Sequence, residues 1–316
     1  MLGRFLLDLI RGRNPVQLDP LAASAQPAQA EVSKDTRQEL ISLDSINFLV
    51  KGIHGWFLAN RYDRFLGQAI IRYGECCEIE QQFLVSFLKL GDNVIEVGSN
   101  IGVHTVGLAK AVGRAGRVVA VEPQPAIFRV LSANLAINSL NNVIAHQCGC
   151  GPSRGQMSVP IVDYSAESLH NSGSVSLLPE STGHLVEIVP VDELSSGLSA
   201  VRLLKIDVEG MEFDVLSGAR AVIDKFRPIL YVENDRVEKS KDLIELIMSM
   251  GYRLWWHAPP LFNPRNHFAV QENEYPNIIS LNMLCLASEM VASFDVSGLQ
   301  EVTDSTRHPM GDPVRT

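Results

Sequence analysis

The stretch Val94-Ile-Glu-Val-Gly-Ser-Asn-Ile-Gly-Val-His-Thr105 decides how the rest of the chain is read. A short apolar run carries an acidic residue near its end, and a glycine turn then opens a helical pattern. Further on, a second apolar run, Val118-Val-Ala-Val121, ends in Glu122-Pro123. Strand, glycine loop, helix and acid-ended strand together spell a nucleoside-binding unit. The loop departs from the dinucleotide fingerprint G-x-G-x-x-G. Gly98 and Gly102 are present, but Asn100 stands where a middle glycine would let bare backbone approach a pyrophosphate. A side chain there crowds a diphosphate and leaves a phosphate-free nucleoside unhindered.

S-adenosylmethionine (SAM) is the commonest such cofactor, and two carboxylates suit it. Glu96 lies two residues before the first glycine. There it would repel a phosphate and accept a hydrogen bond from an ammonium group; the plainer reading is a strand-end carboxylate facing water. Glu122 closes the next strand, where a carboxylate takes both ribose hydroxyls, in NAD as well as in SAM. Gly98, Asn100, Gly102 and Thr105 complete the expected cofactor set.

Composition narrows the class. The 316 residues suffice for one enzyme-sized domain with additions. A hydrophobic fraction of 46% with 20% charged residues is that of a globular protein. The formal net charge of −9 argues against a nucleic-acid partner and suits a cationic sulfonium cofactor. Five cysteines, with Cys148-Gly-Cys150 lacking a partner C-x-x-C, give neither a zinc pattern nor a disulfide framework. Reduced thiols and a cytoplasmic location are expected. No stretch is long and apolar enough to form a transmembrane segment. Residues 1–33 read as a short amphipathic helix followed by a flexible Ala/Pro/Gln/Ser linker, and 291–316 as a disordered tail. The sequence carries no signal for oligomeric state.

Between these ends, strand and helix alternate. Strands are expected at 94–98, 117–122, 143–147, 201–207, 229–233, 252–256 and 283–286. Helical spacing places Ile101, Thr105, Leu108 and Val112 on one face, then Ile127, Val130, Leu131 and Leu135, then Met211, Val215, Leu216, Ala219 and Val222. Residues 156–162 and 185–191 break the rhythm as an inserted hairpin. The α/β alternation predicts a doubly wound, mostly parallel sheet whose ligands bind past the carboxyl ends of the strands. Glu96, Glu122, Asp207, Glu233 and His257 all fall at such ends, which is the pattern of an enzyme.

These residues also carry a family resemblance. The chain resembles the FkbM-type SAM-dependent methyltransferases, which mostly methylate hydroxyl groups of sugars and natural-product scaffolds. The likeness rests on Glu96-Val-Gly-Ser-Asn-Ile-Gly102, Glu122-Pro-Gln-Pro125, Asn134 to Leu140, Leu204-Lys-Ile-Asp-Val-Glu-Gly-Met211 and Leu230-Tyr-Val-Glu-Asn234. It continues through Trp256-His-Ala-Pro-Pro-Leu-Phe-Asn263 and Asn282-Met-Leu-Cys285, covering about 50 to 287. It implies the class I SAM-methyltransferase (Rossmann-like) fold over 91–290: a seven-stranded sheet, its last strand antiparallel. Residues 34–90 would be an N-terminal extension, acting as a lid over the cofactor or as a packing layer. The family often has Asp where this chain has Glu96, so the longer side chain reaches the cofactor directly or through water.

Methyl transfer to oxygen needs an in-line approach and benefits from a base within hydrogen-bond reach. Asp207 is the first candidate base, with helix capping as its other reading. Glu209 is a second candidate, or a hold on the acceptor hydroxyl. Glu233 and Asn234 read as substrate-binding or as helix caps. His257 has a suitable unperturbed pKa, yet lies beside Trp255, Trp256 and two prolines, where histidines pack as aromatics. Those tryptophans suit stacking on sugars and equally suit a core. Asp207, Glu209, Glu233 and Asp235 raise the question of magnesium. Lys205, mid-strand among apolar residues, is expected to pair with a carboxylate or reach a sheet edge. The acceptor is a small molecule or glycan. Two other readings stay open: a non-catalytic nucleoside-binding scaffold, and an NAD enzyme, against which Asn100 argues.

Overall fold

The structure, a computed structural model, describes residues 39–171, 177 and 183–311. The amphipathic start expected over 1–33 lies outside the described residues. The described chain opens with an antiparallel meander, β1 (Leu40–Ser42), β2 (Asn47–Gly52) and β3 (Gly55–Asn60). Two helices follow, Leu66–Tyr73 and Glu78–Ser86.

The apolar runs then become sheet. Strands β4 (Asn93–Val97), β5 (Arg117–Val121) and β6 (Val143–His146) are joined by helices Val103–Val112 and Pro125–Ile137. The insertion forms its own small sheet: β7 (Gly149–Cys150) beside an antiparallel pair, β8 (Gly155–Pro160) and β9 (Gly183–Val189). The main sheet resumes with β10 (Leu203–Ile206), β11 (Ile229–Glu233), β12 (Tyr252–His257) and β13 (Asn282–Ala287), and ends with β14 (Gln300–Glu301).

Its order is β14-β12-β13-β11-β10-β4-β5-β6, with β13 antiparallel to both neighbours. Apart from β14, this is the expected seven-stranded doubly wound sheet. Alternate residues of each central strand face opposite layers. Ile95, Val119, Leu204 and Leu230 pack with Leu216, Val222 and Ile247 on one side. Val94, Val118, Leu203 and Ile229 pack with Leu84, Leu108 and Val112 on the other. Burial on both faces is why these strands read as continuous apolar runs. The chain leaves β4 towards β5 and β6 and returns to β10 on the opposite side. Strand order therefore reverses between β4 and β10, where a crevice opens.

Three expectations change. Residues 291–311 are not a disordered tail: Ser288–Ser293 is a 3-10 helix, and β14 pairs with Trp255 and Trp256. Val302 is buried and its N–H donates to Leu254 O at 2.8 Å. Without this segment β12 would be an open edge carrying aromatic side chains, and the low-periodicity sequence covers it. The single helix expected after Met211 is two, Glu212–Ser217 and Arg220–Phe226. The break falls at Gly218, where a Cβ would stand 2.0 Å from Gly151 O. The Asp192 carboxylate then accepts from the Ala221 and Val222 N–H groups at 3.0 and 2.9 Å, starting the second helix afresh. Finally, the inserted hairpin gains β7 as a third strand.

Candidate active site

At the strand-order reversal the loops after β4 and β10 touch. Gly98 and Ser99 both donate backbone N–H to Val121 O at 2.9 Å, while Asp207 N–H donates to Val97 O at 3.0 Å. Gly98 has φ +88°, and a Cβ there would lie 1.7 Å from Asp207 O. Only glycine lets these loops meet. Gly102 is also left-handed, with Leu131 packed where its Cβ would be. Asn100 takes the left-handed conformation too, at φ +48°, and Asn is among the few side chains that tolerate it. Its Oδ1 accepts from Ile101 N–H at 2.8 Å.

A cavity of about 260 Å³ opens above these loops. Gly98, Asn100, Glu122, Asp207, Glu209 and Glu233 line it, so six expected site residues converge. Glu122 accepts the Asn100 N–H on Oε2 at 3.0 Å and the Gln124 N–H on Oε1 at 2.8 Å. Burial outweighs both bonds and pushes its carboxyl up to about 7. Asp207 accepts Lys205 Nζ on Oδ2 at 2.8 Å. Glu209, itself at φ +56°, accepts from Arg236. Burial, with Asp207 nearby, still raises Glu209 to about 8. Burial followed by the charges of Asp207 and Glu209 holds Glu233 well above the usual carboxylate range.

Other expected residues stand elsewhere. Glu96 is buried in β4, in register with Lys205, and does not face the cavity. Its Oε2 accepts from Thr105 Oγ1 at 2.5 Å and from Ser99 Oγ at 3.2 Å, so it ties the loop to the first turn of the next helix. Thr105 is fully buried in the same layer. Both sit beneath the cofactor position expected of them, because the strand alternation turns Glu96 inward. Asn234 is likewise structural: its Nδ2 donates to Ser240 Oγ at 2.9 Å in the helix Val237–Ser249. His257 stacks on Phe83 at 3.9 Å and shares a 2.8 Å hydrogen bond with Tyr231 Oη. Burial lowers it to about 4, and it does not line the cavity. Trp255 and Trp256 are core residues.

Lys205 matters more than its sequence suggested. It is 1% exposed and lines the cavity floor. Burial alone would lower its pKa, but Asp207, Glu80 and Glu96 hold it above the ordinary value. Glu80 and His104 form a second ion pair in the floor, with Nε2 and Oε1 at 3.3 Å. His104 follows Gly102 in the first helical turn, which points at the crevice, so loop geometry foreshadows it. Glu80 and Arg236 had no such signal. The N-terminal extension contributes Phe65 and Leu66, and the segment between β12 and β13 contributes Leu261, Ile278 and Ile279, giving the cavity an apolar wall.

Among the described residues, no three of His, Cys, Asp and Glu gather as a metal site. Asp207 is paired with Lys205, and Glu209 and Asp235 with Arg236. Carboxylates neutralised by side-chain cations do not fit magnesium. A phosphate-free nucleoside fits better: the Asn100 side chain lines the cavity where a diphosphate would need room, and Glu122 is a buried acceptor at the end of β5. No helix among the described residues is long and apolar enough to cross a membrane.

Residues 96–254 match the methyltransferase FkbM domain family. Methyltransferase 1 of Beauveria bassiana is 31% identical over 147 residues, 40% of this chain and 57% of that protein. The match thus spans little more than half of that relative. Methyltransferase sdnD of Sordaria araneosa is 31% identical over 194 residues, 47% of this chain and 72% of that protein. Among solved structures, the methyltransferase FkbM of Methylobacillus flagellatus aligns with a TM-score of 0.40 and 18% identity, over 61% of this chain and 43% of that one. The O-methyltransferase TomG of Streptomyces achromogenes, solved with SAM, aligns with a TM-score of 0.41 and 11% identity, over 66% and 80%.

Proposed function

Because the chain belongs to the FkbM methyltransferase family, we propose that its cavity binds SAM and directs the methyl group to a hydroxyl oxygen of a small molecule. SAM supplies an electrophilic methyl carbon on a sulfonium. The chain supplies position and charge. The turn at Gly98 would form one edge of the nucleoside site, with the Asn100 side chain where a diphosphate would need room, and Glu122 would accept the ribose hydroxyls. Asp207 is the base. Lys205 occupies Oδ2 and leaves Oδ1 to take the proton of the acceptor O–H. Glu209, held by Arg236, and Glu233, whose carboxyl burial raises, line the acceptor side and position its polar groups. The Glu80–His104 pair and Lys205 fix the floor, so the geometry is set before the acceptor arrives.

The observation that carries this reading is the meeting of Gly98 with Asp207, which brings the nucleoside loop and the base to one cavity. The apolar wall of Phe65, Leu66, Leu261 and Ile278 favours a natural-product scaffold over a bare glycan among the acceptors expected. In this reading the extension that carries Phe65 and Leu66 closes over the site as a lid. The test is a mass-spectrometric screen of hydroxylated acceptors with SAM labelled in its methyl group. Transfer of the label, lost in Asp207→Asn while SAM binding persists, is the expected result. SAM binding with no transfer to any acceptor would instead mark a scaffold protein of the same fold.

A further inference from the structure

One chemically active pair borders the cavity without a part in methyl transfer. The Sγ atoms of Cys76 and Cys77 lie 3.5 Å apart. Cys76 is buried, whereas Cys77 is half-buried and lines the cavity. Cys77 precedes the helix Glu78–Ser86 in the left-handed conformation, at φ +54°. A side chain holds that geometry only where its surroundings enforce it. His104 stands beside it, with Nδ1 on Gln81 Oε1 at 2.7 Å and Nε2 facing Glu80. Burial would lower His104, but Glu80 holds it as an imidazolium, and its charge lies beside Cys77. The Cys76 thiol, then His104, bring Cys77 down to about 7, while Cys76 is held up. Cys148, Cys150 and Cys285 are all raised by burial. Cys148 and Cys150 also line the cavity, but burial holds both thiols up; Cys77, with Cys76 Sγ at 3.5 Å, is the lining cysteine whose thiol is lowered.

We propose that Cys76 and Cys77 form an oxidation site in the cavity wall, closing to a vicinal disulfide when a peroxide enters. The Cys77 thiolate attacks one peroxide oxygen, the O–O bond breaks, and hydroxide leaves; Cys77 becomes a sulfenic acid. Cys76 gives its proton to that hydroxide, and its sulfur attacks Cys77 sulfur. The S–O bond breaks and the second oxygen leaves as hydroxide, which takes up the proton Cys77 first released. Two electrons pass from the thiols to the peroxide, which ends as two waters. The product removes the negative charge beside His104 and tethers the start of the helix that carries Glu80. Oxidation therefore reshapes the cavity floor, and a thiol reductant restores it.

The test uses the full chain, a small excess of hydrogen peroxide and peptide mapping by mass spectrometry. Loss of two hydrogens on the Cys76–Cys77 peptide, reversed by dithiothreitol, is expected. In Cys76→Ser the same treatment leaves a Cys77 sulfenic acid that dimedone traps. His104→Gln slows iodoacetamide labelling of Cys77 at neutral pH by about tenfold. The proposal is overturned if both thiols stay alkylatable after peroxide, if the lost hydrogens map to other cysteines, or if Cys76→Ser loses them equally. The readout is the covalent state of sulfur and stands apart from methyl transfer.

Discussion

Glu122→Gln tests the nucleoside site through its protons. Burial raises Glu122 from its ordinary 4.5 to about 7, an interval worth on the order of 3 kcal/mol. The folded, ligand-free protein keeps a proton there that the unfolded chain has lost. The associated stability is fully present below pH 4.5 and is lost as pH rises through 7. Glutamine removes that loss. It also offers one carbonyl oxygen to two backbone donors, Asn100 N–H and Gln124 N–H. The donor left over costs about 1–3 kcal/mol. The variant is therefore less stable than wild type near pH 5 and close to it near pH 8, as urea denaturation at both pH values will show. Binding gives the sharper signal. Ribose hydroxyls donate to the ionised carboxylate, so SAM binding expels the proton. Between about pH 5 and 7 the wild-type Kd should fall about tenfold per pH unit, the equivalent of about 1.4 kcal/mol. Glu122→Gln should be flat over that range. Calorimetry in buffers of different ionisation heat counts the released proton directly. A pH-independent wild-type Kd, or an unchanged slope in the variant, would mean that Glu122 does not hold the ribose.

Gly98→Ala should lose about 3 kcal/mol of stability, from left-handed strain and overpacking on Asp207 O, together with SAM binding, measured by thermal denaturation and calorimetry. Lys205→Met strands Asp207 and Glu80 without their buried cation; a loss of about 3–5 kcal/mol in denaturant titration is expected. His257→Phe should keep SAM affinity and turnover while losing about 1 kcal/mol with the Tyr231 hydrogen bond. A large drop in turnover there would place His257 back in the chemistry.

The sheet was legible because its strands are buried on both faces, and continuous apolar runs between glycine and proline punctuation leave few other readings. The crevice was legible for the same reason: strand ends are sharp, so Glu122, Asp207, Glu209 and Glu233 could be placed by counting. Glu96 shows the limit. A residue inside a strand faces one layer or the other according to register, and its carboxylate turned to Ser99 and Thr105. Asn234 and His257 lie within reach of strand ends but are claimed by neighbours: Ser240, in the first turn of the helix that follows, and Phe83, which only the fold brings near. The apolar wall, Glu80 and Arg236 come from distant segments whose sequence shows amphipathic helix or loop and nothing of the partner. β14 was missed because two residues pairing with an exposed edge have no periodicity to read.

The turn Gly98–Gly102 is proposed to hold a phosphate-free methyl donor. Calorimetric titration of the same sample with SAM and with NAD tests it most directly. One-to-one binding of SAM, displaced by S-adenosylhomocysteine, with no heat from NAD, is expected. Binding of NAD with silence towards SAM would contradict it.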